Sequence, residues 1–121
     1  MKKILIIEDE RFIRDNLIEL LEIEGFSALG SENGKMGVAL AETYQPNLIL
    51  CDVMMPELDG YGVFAEMRSN PLTANIPFLF LTASADMNNI EKIKELGMNE
   101  YILKPFNVES FLQTIEKYLT D

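Results

Sequence analysis

The sequence contains no histidine and only one cysteine, Cys51, and these two shortages exclude several kinds of site. Without histidine, the chain has no Ser–His–carboxylate triad, no imidazole metal ligand and no phosphohistidine of its own. One thiol is too few for an internal disulfide or for a zinc cluster. Carboxylates, hydroxyls and a few cationic side chains are what remains for chemistry.

Long apolar runs are also missing from the sequence. Residues 1–3 are followed by only four apolar residues before Glu8 and Asp9, which is shorter than the apolar stretch of a signal peptide. No run approaches the length of a membrane span. With no export signal and one cysteine, we expect a cytoplasmic protein that makes no membrane contact.

Positive charge is scarce, with 10 lysines and arginines against 20 aspartates and glutamates, which gives a net charge of −10. Phosphate backbones repel such a surface, so direct nucleic-acid binding is disfavoured. A chain of 121 residues, 48% of them hydrophobic, predicts one compact domain over residues 1–121 rather than two separate cores.

Apolar patterns predict five strands that alternate with five helices. The strands are expected at residues 4–7, 26–29, 47–51, 76–81 and 100–103, each a short continuous apolar run. Continuous rather than alternating apolar strands indicate an α/β fold, in which helices cover both faces of a parallel sheet. Asn107 is expected to cap the last helix. The last two helices are expected to bury Ile90, Ile93, Leu96, Val108, Phe111, Leu112, Ile115 and Leu119.

Polar residues stand where four of these strands end: Glu8 and Asp9 after the first, Asp52 after the third, Thr82 after the fourth and Lys104 after the fifth. In a parallel sheet these ends converge on one crevice. Three carboxylates raise one another's pKa, and Mg²⁺, which prefers oxygen ligands, relieves their repulsion. A carboxylate beside Mg²⁺ can attack phosphorus, while an ammonium and a hydroxyl stabilise the phosphoryl charge.

Each of these residues taken alone has a simpler interpretation. Glu8 and Asp9 could cap the first helix, Asp52 and Thr82 could stabilise turns, and Lys104 could be a solvated surface charge. Their joint occurrence at one sheet edge favours a site. We interpret Cys51 as a small buried residue and Asp59-Gly60 as a helix cap and turn. For the side chains of Met54 and Met55, loop packing is favoured over a cofactor contact.

The chain resembles the receiver domain of two-component response regulators over residues 2–119. The resemblance implies a flavodoxin-like (βα)5 fold, with a doubly wound parallel sheet of strand order 2-1-3-4-5. It also implies a phosphorelay signalling domain that catalyses only its own phosphorylation and dephosphorylation. The motifs that carry it are Glu8-Asp9, Asp52 followed by Met54-Met55-Pro56-Glu57-Leu58-Asp59-Gly60, Leu81-Thr82-Ala83, and Leu103-Lys104-Pro105-Phe106.

The resemblance further implies individual roles. Asp52 is the expected phospho-acceptor. Mg²⁺ is expected at Asp9, at Asp52 and, through water, at Glu8, with the backbone carbonyl of Met54 as a further ligand. Thr82, Lys104 and Tyr101 are expected to be catalytic or switch residues, and the Lys104–Pro105 bond is expected to be cis. Ala83 is expected to leave the path to the acceptor open, and Met54 and Ser84 are expected to flank the path of the hydrolytic water.

The implied phosphodonor is a sensor histidine kinase or a histidine phosphotransfer protein, and the implied target is an unidentified downstream protein. A monomer and a phosphorylation-dependent dimer both fit the sequence. Three alternatives stay open. A pseudo-receiver that docks proteins without using phosphate would have the same motifs. A haloacid-dehalogenase-type phosphatase would need a nucleophile after the first strand and a second aspartate two residues later, but Asp9 is followed by Glu10 and Arg11. A flavin or nucleotide module would need a phosphate loop where Glu8-Asp9-Glu10 stands.

Overall fold

A computed structural model of the chain describes residues 1–83, 87–98 and 100–119. Strands and helices alternate along these residues, as the sequence predicts. None of the described helices is long and apolar enough to cross a bilayer. The elements are β1 (Lys3–Ile7), α1 (Arg11–Ile23), β2 (Ser27–Ser31), α2 (Gly34–Tyr44), β3 (Leu48–Asp52), α3 (Gly60–Ser69), β4 (Phe78–Ala83), α4 (Met87–Glu95), β5 (Ile102–Lys104) and α5 (Val108–Leu119).

The five strands form one parallel sheet in the order β2-β1-β3-β4-β5, which confirms the expected fold class. The register aligns the carboxyl ends of the strands. Asp52 stands opposite Leu81, and Ala83 stands opposite Lys104. β1 and β3 occupy the middle of the sheet, and all but the first residue of β1 is buried. The carboxyl ends of the strands therefore form one edge, which lies between the helices of the two faces.

The sheet separates two apolar layers, because successive side chains of a strand point to opposite faces. One layer joins Ile7 and Phe80 to side chains of α2, α3 and α4. The other layer joins Ile6 to Leu17 of α1 and to Phe111 of α5. This is the arrangement with helices on both faces that the continuous apolar strands predict.

The second strand begins later than predicted, at Ser27 instead of residue 26, and continues to Ser31. The reason lies in the end of α1. Gly25 adopts φ +92°, and the N–H of Phe26 donates to the carbonyl of Leu21 at 3.0 Å. This bond ends the helix on one of its own carbonyls, so the backbone N–H of Phe26 is unavailable to the sheet.

The fourth and fifth strands are also shorter at their amino ends than predicted. Ile76 is buried as expected, but it lies in a turn before Pro77, which has no N–H to donate to a ladder, so β4 begins at Phe78. β5 begins at Ile102, and Tyr101 precedes it.

Two expected core residues are exposed. Leu96, which follows α4, is 42% exposed, and Val108, the first residue of α5, is 50% exposed. Both stand at a helix end, where the apolar period continues but none of the described elements covers the side chain. The predicted helix caps are confirmed, because Asn107 accepts from the N–H of Ser110 at 3.0 Å and Asp59 accepts from the N–H of Gly62 at 2.9 Å.

Candidate functional site

Four of the predicted side chains meet at the carboxyl edge of the sheet. Carboxylate oxygens of Glu8, Asp9 and Asp52 all lie within 4.8 Å of one another. The ammonium of Lys104, at the end of β5, lies 2.7 Å from Oε1 of Glu8 and 3.2 Å from Oδ1 of Asp52. Three carboxylates and one cation thus occupy one crevice, with negative charge in excess.

Burial gives these carboxylates different properties. Glu8 is fully buried and Asp52 is 6% exposed, whereas Asp9 faces solvent. Burial raises the pKa of Glu8 to about 7; the hydrogen bond from Lys104 opposes this increase, and the charge of Asp52 adds to it. A buried carboxylate whose pKa stays high beside its own lysine gains from a second cation. The chemistry of the donor set therefore fits a hard divalent ion.

Lys104 stays protonated in this surrounding. Burial alone lowers the pKa of its ammonium, but the hydrogen bond to Glu8 and the charges of Asp52 and Glu8 outweigh burial and raise it. The peptide bond that follows, Lys104–Pro105, is cis. The lysine is therefore a positive charge held between the carboxyl groups of Glu8 and Asp52.

Thr82 lies in β4 beside the end of β3. It is buried, and its Oγ1 has no hydrogen-bond partner among the described residues. A buried hydroxyl without a partner costs about 1–3 kcal/mol, so a ligand oxygen that accepts from it is favoured. Thr82 follows Leu81, which pairs with Asp52, so this hydroxyl belongs to the strand next to Asp52.

The loop after Asp52 is held tightly. The N–H of Gly60 donates to the carbonyl of Val53 at 2.9 Å, and a Cβ at Gly60 would lie 2.4 Å from the carbonyl oxygen of Asp52. Only a glycine therefore permits α3 to begin against this backbone. The loop-packing role predicted for both methionines is correct for Met55, which is 8% exposed, and wrong for Met54, whose side chain is 67% exposed.

The segment that carries the acidic pair has its own contacts. The N–H of Glu8 donates to the carbonyl of Ser31 at 3.0 Å, and Oε2 of Glu8 accepts from the N–H of Glu10 at 3.3 Å. Neither acid of the pair is the N-cap of α1, because that position is occupied by Glu10. Arg14, which the sequence analysis did not single out, donates from Nη1 to the carbonyl of Glu8 at 2.8 Å.

The remaining predicted positions lie around the crevice. Ala83 ends β4 and is exposed. Tyr101 is half-buried against the apolar layer of α2, α3 and α4, and it borders a surface cavity of about 270 Å³ that α5 also lines. Ser84 lies outside the described residues. The switch role of Tyr101, the carbonyl role of Met54 and the access role of Ala83 stay predictions.

A family model for the response regulator receiver domain matches residues 4–116. The chain belongs to this receiver family. The receiver is 36% identical over 123 residues to the probable transcriptional regulator ycf27 of Porphyridium aerugineum, covering 96% of this chain and 50% of that protein. It is 32% identical over 120 residues to the polar-differentiation response regulator DivK of Brucella anthropi, covering 99% of this chain and 98% of DivK. The receiver thus spans half of the first relative and nearly all of the second.

A solved structure extends the comparison to the metal. The receiver domain of the sensor histidine kinase PA1611 of Pseudomonas aeruginosa superposes with a TM-score of 0.87 at 28% identity, covering 97% of this chain and 96% of that chain. That structure holds a magnesium ion coordinated in its active site cleft. This receiver has an acidic cluster that could hold a metal ion, and its family does not favour the phosphatase or flavin alternatives.

Proposed function

We propose that this receiver takes a phosphoryl group onto Asp52, in a reaction that requires Mg²⁺, from a sensor histidine kinase or a histidine phosphotransfer protein. The observation that carries the proposal is the ammonium of Lys104, which lies 3.2 Å from Asp52 and 2.7 Å from Glu8 within a group of three carboxylates. Such a site combines a nucleophilic oxygen with fixed positive charge, which is what phosphoryl transfer requires.

The contacts of the acidic pair support different roles toward the metal. Both carboxylate oxygens of Glu8 already accept hydrogen bonds, one from Lys104 and one from the N–H of Glu10, which supports a contact through water. No described residue donates a hydrogen bond to the carboxylate of Asp9, so its oxygens are available as direct ligands beside Asp52. When bound there, Mg²⁺ would supply positive charge to the phosphoryl oxygens.

The chemical step is a displacement at phosphorus. A carboxylate oxygen of Asp52 forms the new P–O bond as the P–N bond of the donor's phosphohistidine breaks, and the electron pair of that bond returns to the imidazole nitrogen. Lys104 pairs with the phosphorylated side chain and offsets its added charge. Water later cleaves the aspartyl phosphate and restores the carboxylate.

The switch follows from the unpartnered hydroxyl of Thr82. A phosphoryl oxygen on Asp52 gives this hydroxyl the acceptor that it lacks among the described residues. Movement of Thr82 toward that oxygen leaves space that Tyr101 can enter, which changes the surface formed by α4, β5 and α5. An unidentified downstream protein would read this surface.

Residues 1–121 would then act as one receiver domain. Similarity over 98% of DivK supports a receiver that acts by itself, whereas similarity over 50% of ycf27 supports a receiver that works beside a further domain. The proposal concerns the phosphorylation of this domain, which is common to both arrangements. We also propose that the domain is cytoplasmic, where it would meet a histidine kinase or a phosphotransfer protein.

The test is intact-mass measurement after incubation with Mg²⁺ and acetyl phosphate. Wild type should gain one phosphoryl group, and Asp52→Asn should gain none. Asp59→Asn is the matched control, since it removes one carboxylate from the same loop and keeps an oxygen that can cap α3. Phosphorylation of Asp52→Asn at another residue would contradict the assignment. Mg²⁺ binding by wild type without any mass gain from acetyl phosphate or from a phosphorylated kinase would favour the docking module instead.

A further inference from the structure

Arg14 reaches back from the first turn of α1 to a carbonyl that the helix does not use. Its Nη1 donates to the carbonyl of Glu8 at 2.8 Å, while its own backbone N–H donates to the carbonyl of Glu10 at 3.0 Å. The helix begins at Arg11, so the carbonyl of Glu8 lies outside the helical ladder. A side chain therefore supplies the partner that this carbonyl needs, and the charged donor makes the bond a strong one.

This carbonyl belongs to the peptide unit that joins Glu8 to Asp9. Because a peptide unit is planar, fixing the direction of its C=O also fixes its N–H and the direction in which the next residue leaves the chain. The other side of Glu8 is held as well, since its N–H donates to Ser31. The exposed carboxylate of Asp9 receives no hydrogen bond from the described residues, so its position depends on the peptide unit before it.

The path of the Arg14 side chain is provided by Gly30 of β2. A Cβ at Gly30 would lie 3.0 Å from both Cγ and Cδ of Arg14 and 2.8 Å from Cδ1 of Ile18. Gly30 pairs with Ile6 near the end of β1, so the arginine crosses bare backbone beside the strand that leads to the acidic pair. The absent side chain at position 30 thus makes room for the arginine to reach Glu8.

We infer that Arg14 is a positioning residue, which orients the Glu8–Asp9 peptide so that the Asp9 carboxylate is directed for Mg²⁺ binding. The inference rests on the Mg²⁺ site of the proposed function. Two effects of the arginine have opposite signs. Its positive charge near the crevice repels a cation, whereas its hydrogen bond to Glu8 arranges the ligands. Removing the side chain distinguishes these effects by the direction in which the affinity changes.

The experiment is calorimetric titration of Mg²⁺ into wild type, Arg14→Met and Arg11→Met without a phosphodonor. Arg11→Met is the matched control, because it removes the same charge from the same helix turn at a side chain that is 84% exposed and paired with Asp15. We expect Arg14→Met to weaken Mg²⁺ binding about tenfold, the lower end for loss of a residue that orients a metal ligand. Arg11→Met should leave the affinity unchanged or slightly higher.

A second measurement concerns the peptide itself. In metal-free ¹H–¹⁵N spectra, the amide signal of Asp9 should shift in Arg14→Met and stay in place in Arg11→Met. If Arg14→Met folds poorly, Arg14→Gln takes its place, because the glutamine side chain is too short to reach the carbonyl of Glu8. The Mg²⁺ affinity and the Asp9 amide signal are then measured for that variant. Unchanged or tighter Mg²⁺ binding, or an unmoved Asp9 amide, would overturn the inference. Absence of Mg²⁺ binding by wild type would instead refute the proposed metal site.

Discussion

Glu8→Gln should stabilise the protein in the absence of Mg²⁺. Glu8 is fully buried, and burial raises its pKa to about 7 from the ordinary value of 4.5. An acid whose pKa is higher in the folded state favours folding at low pH, and this contribution is lost as the pH rises from 4.5 through 7. At about 1.4 kcal/mol per pKa unit, the ionised carboxylate costs about 3 kcal/mol at pH 8 and less than about 1 kcal/mol at pH 5.

Glutamine has nearly the same shape and keeps an oxygen that can accept from Lys104, but it carries no charge. Its buried amide has its own desolvation cost, so we expect a net gain of about 1–3 kcal/mol at pH 8 and little change at pH 5. Urea unfolding of wild type and variant at both pH values, with and without saturating Mg²⁺, measures the difference. With Mg²⁺ the gain should shrink, because the metal stabilises the wild-type crevice.

Glu10→Gln is the matched control for this prediction, because it removes one negative charge from an exposed residue of the same segment. Its effect on the free energy of unfolding should stay within about 0.5 kcal/mol at either pH. A metal-free Glu8→Gln protein that is no more stable than wild type at pH 8 would refute the reasoning. It would mean that the contact with Lys104 compensates the buried charge in full.

Three further predictions concern other contacts. Gly60→Ala should lower the free energy of unfolding in urea by about 1–3 kcal/mol, because its Cβ would lie 2.4 Å from a backbone oxygen. Gly62→Ala should lower it less, because its Cβ would meet a flexible leucine side chain, and equal losses for the two variants would contradict this. Tyr61→Phe removes the hydroxyl that donates to the first turn of α4 at 2.8 Å, so amide exchange in α4 should accelerate, and an unchanged rate would refute the contact. Burial, the hydrogen bond that Tyr118 donates to Glu100, and the negative charge of Glu100 raise the pKa of Tyr118 to about 12. The contribution of Tyr118 to the free energy of unfolding is therefore present below pH 10 and is lost as the pH rises toward 12. Absorbance titration should therefore show that Tyr118→Phe removes the step near 12, and loss of a step near 10 instead would contradict this assignment.

The sheet and the crevice were predictable because both depend on patterns that are local in sequence. Continuous apolar runs predict a parallel sheet with the residues that follow each run at one edge, and the family resemblance supplies the strand order that puts β1 and β3 inside it. The contact between Lys104 and Glu8 joins the two ends of the chain, but it follows from strand order once the family is known. The carboxylates and the lysine could therefore be expected to meet before any distance was known.

The sequence patterns did not predict contacts that depend on the shape of a neighbouring element. The path of Arg14 depends on a missing side chain at Gly30, on another strand, and no periodicity connects the two positions. The late start of β2 depends on how α1 closes on Phe26. The exposure of Val108 depends on the elements next to it. An apolar period shows which face of a helix is apolar, but it does not show how far along that face other elements pack.

The two apolar layers have a mechanical consequence. α4 contributes Ile93 to the layer that it shares with α2 and α3, while α1 and α5 pack on the opposite face of the sheet. A rearrangement of α4 would repack the layer of Ile93 directly, while the buried contacts of Leu17 lie on the far face of the sheet. The sheet therefore separates the packing of α4 from the packing of α1, the helix that begins two residues after Asp9.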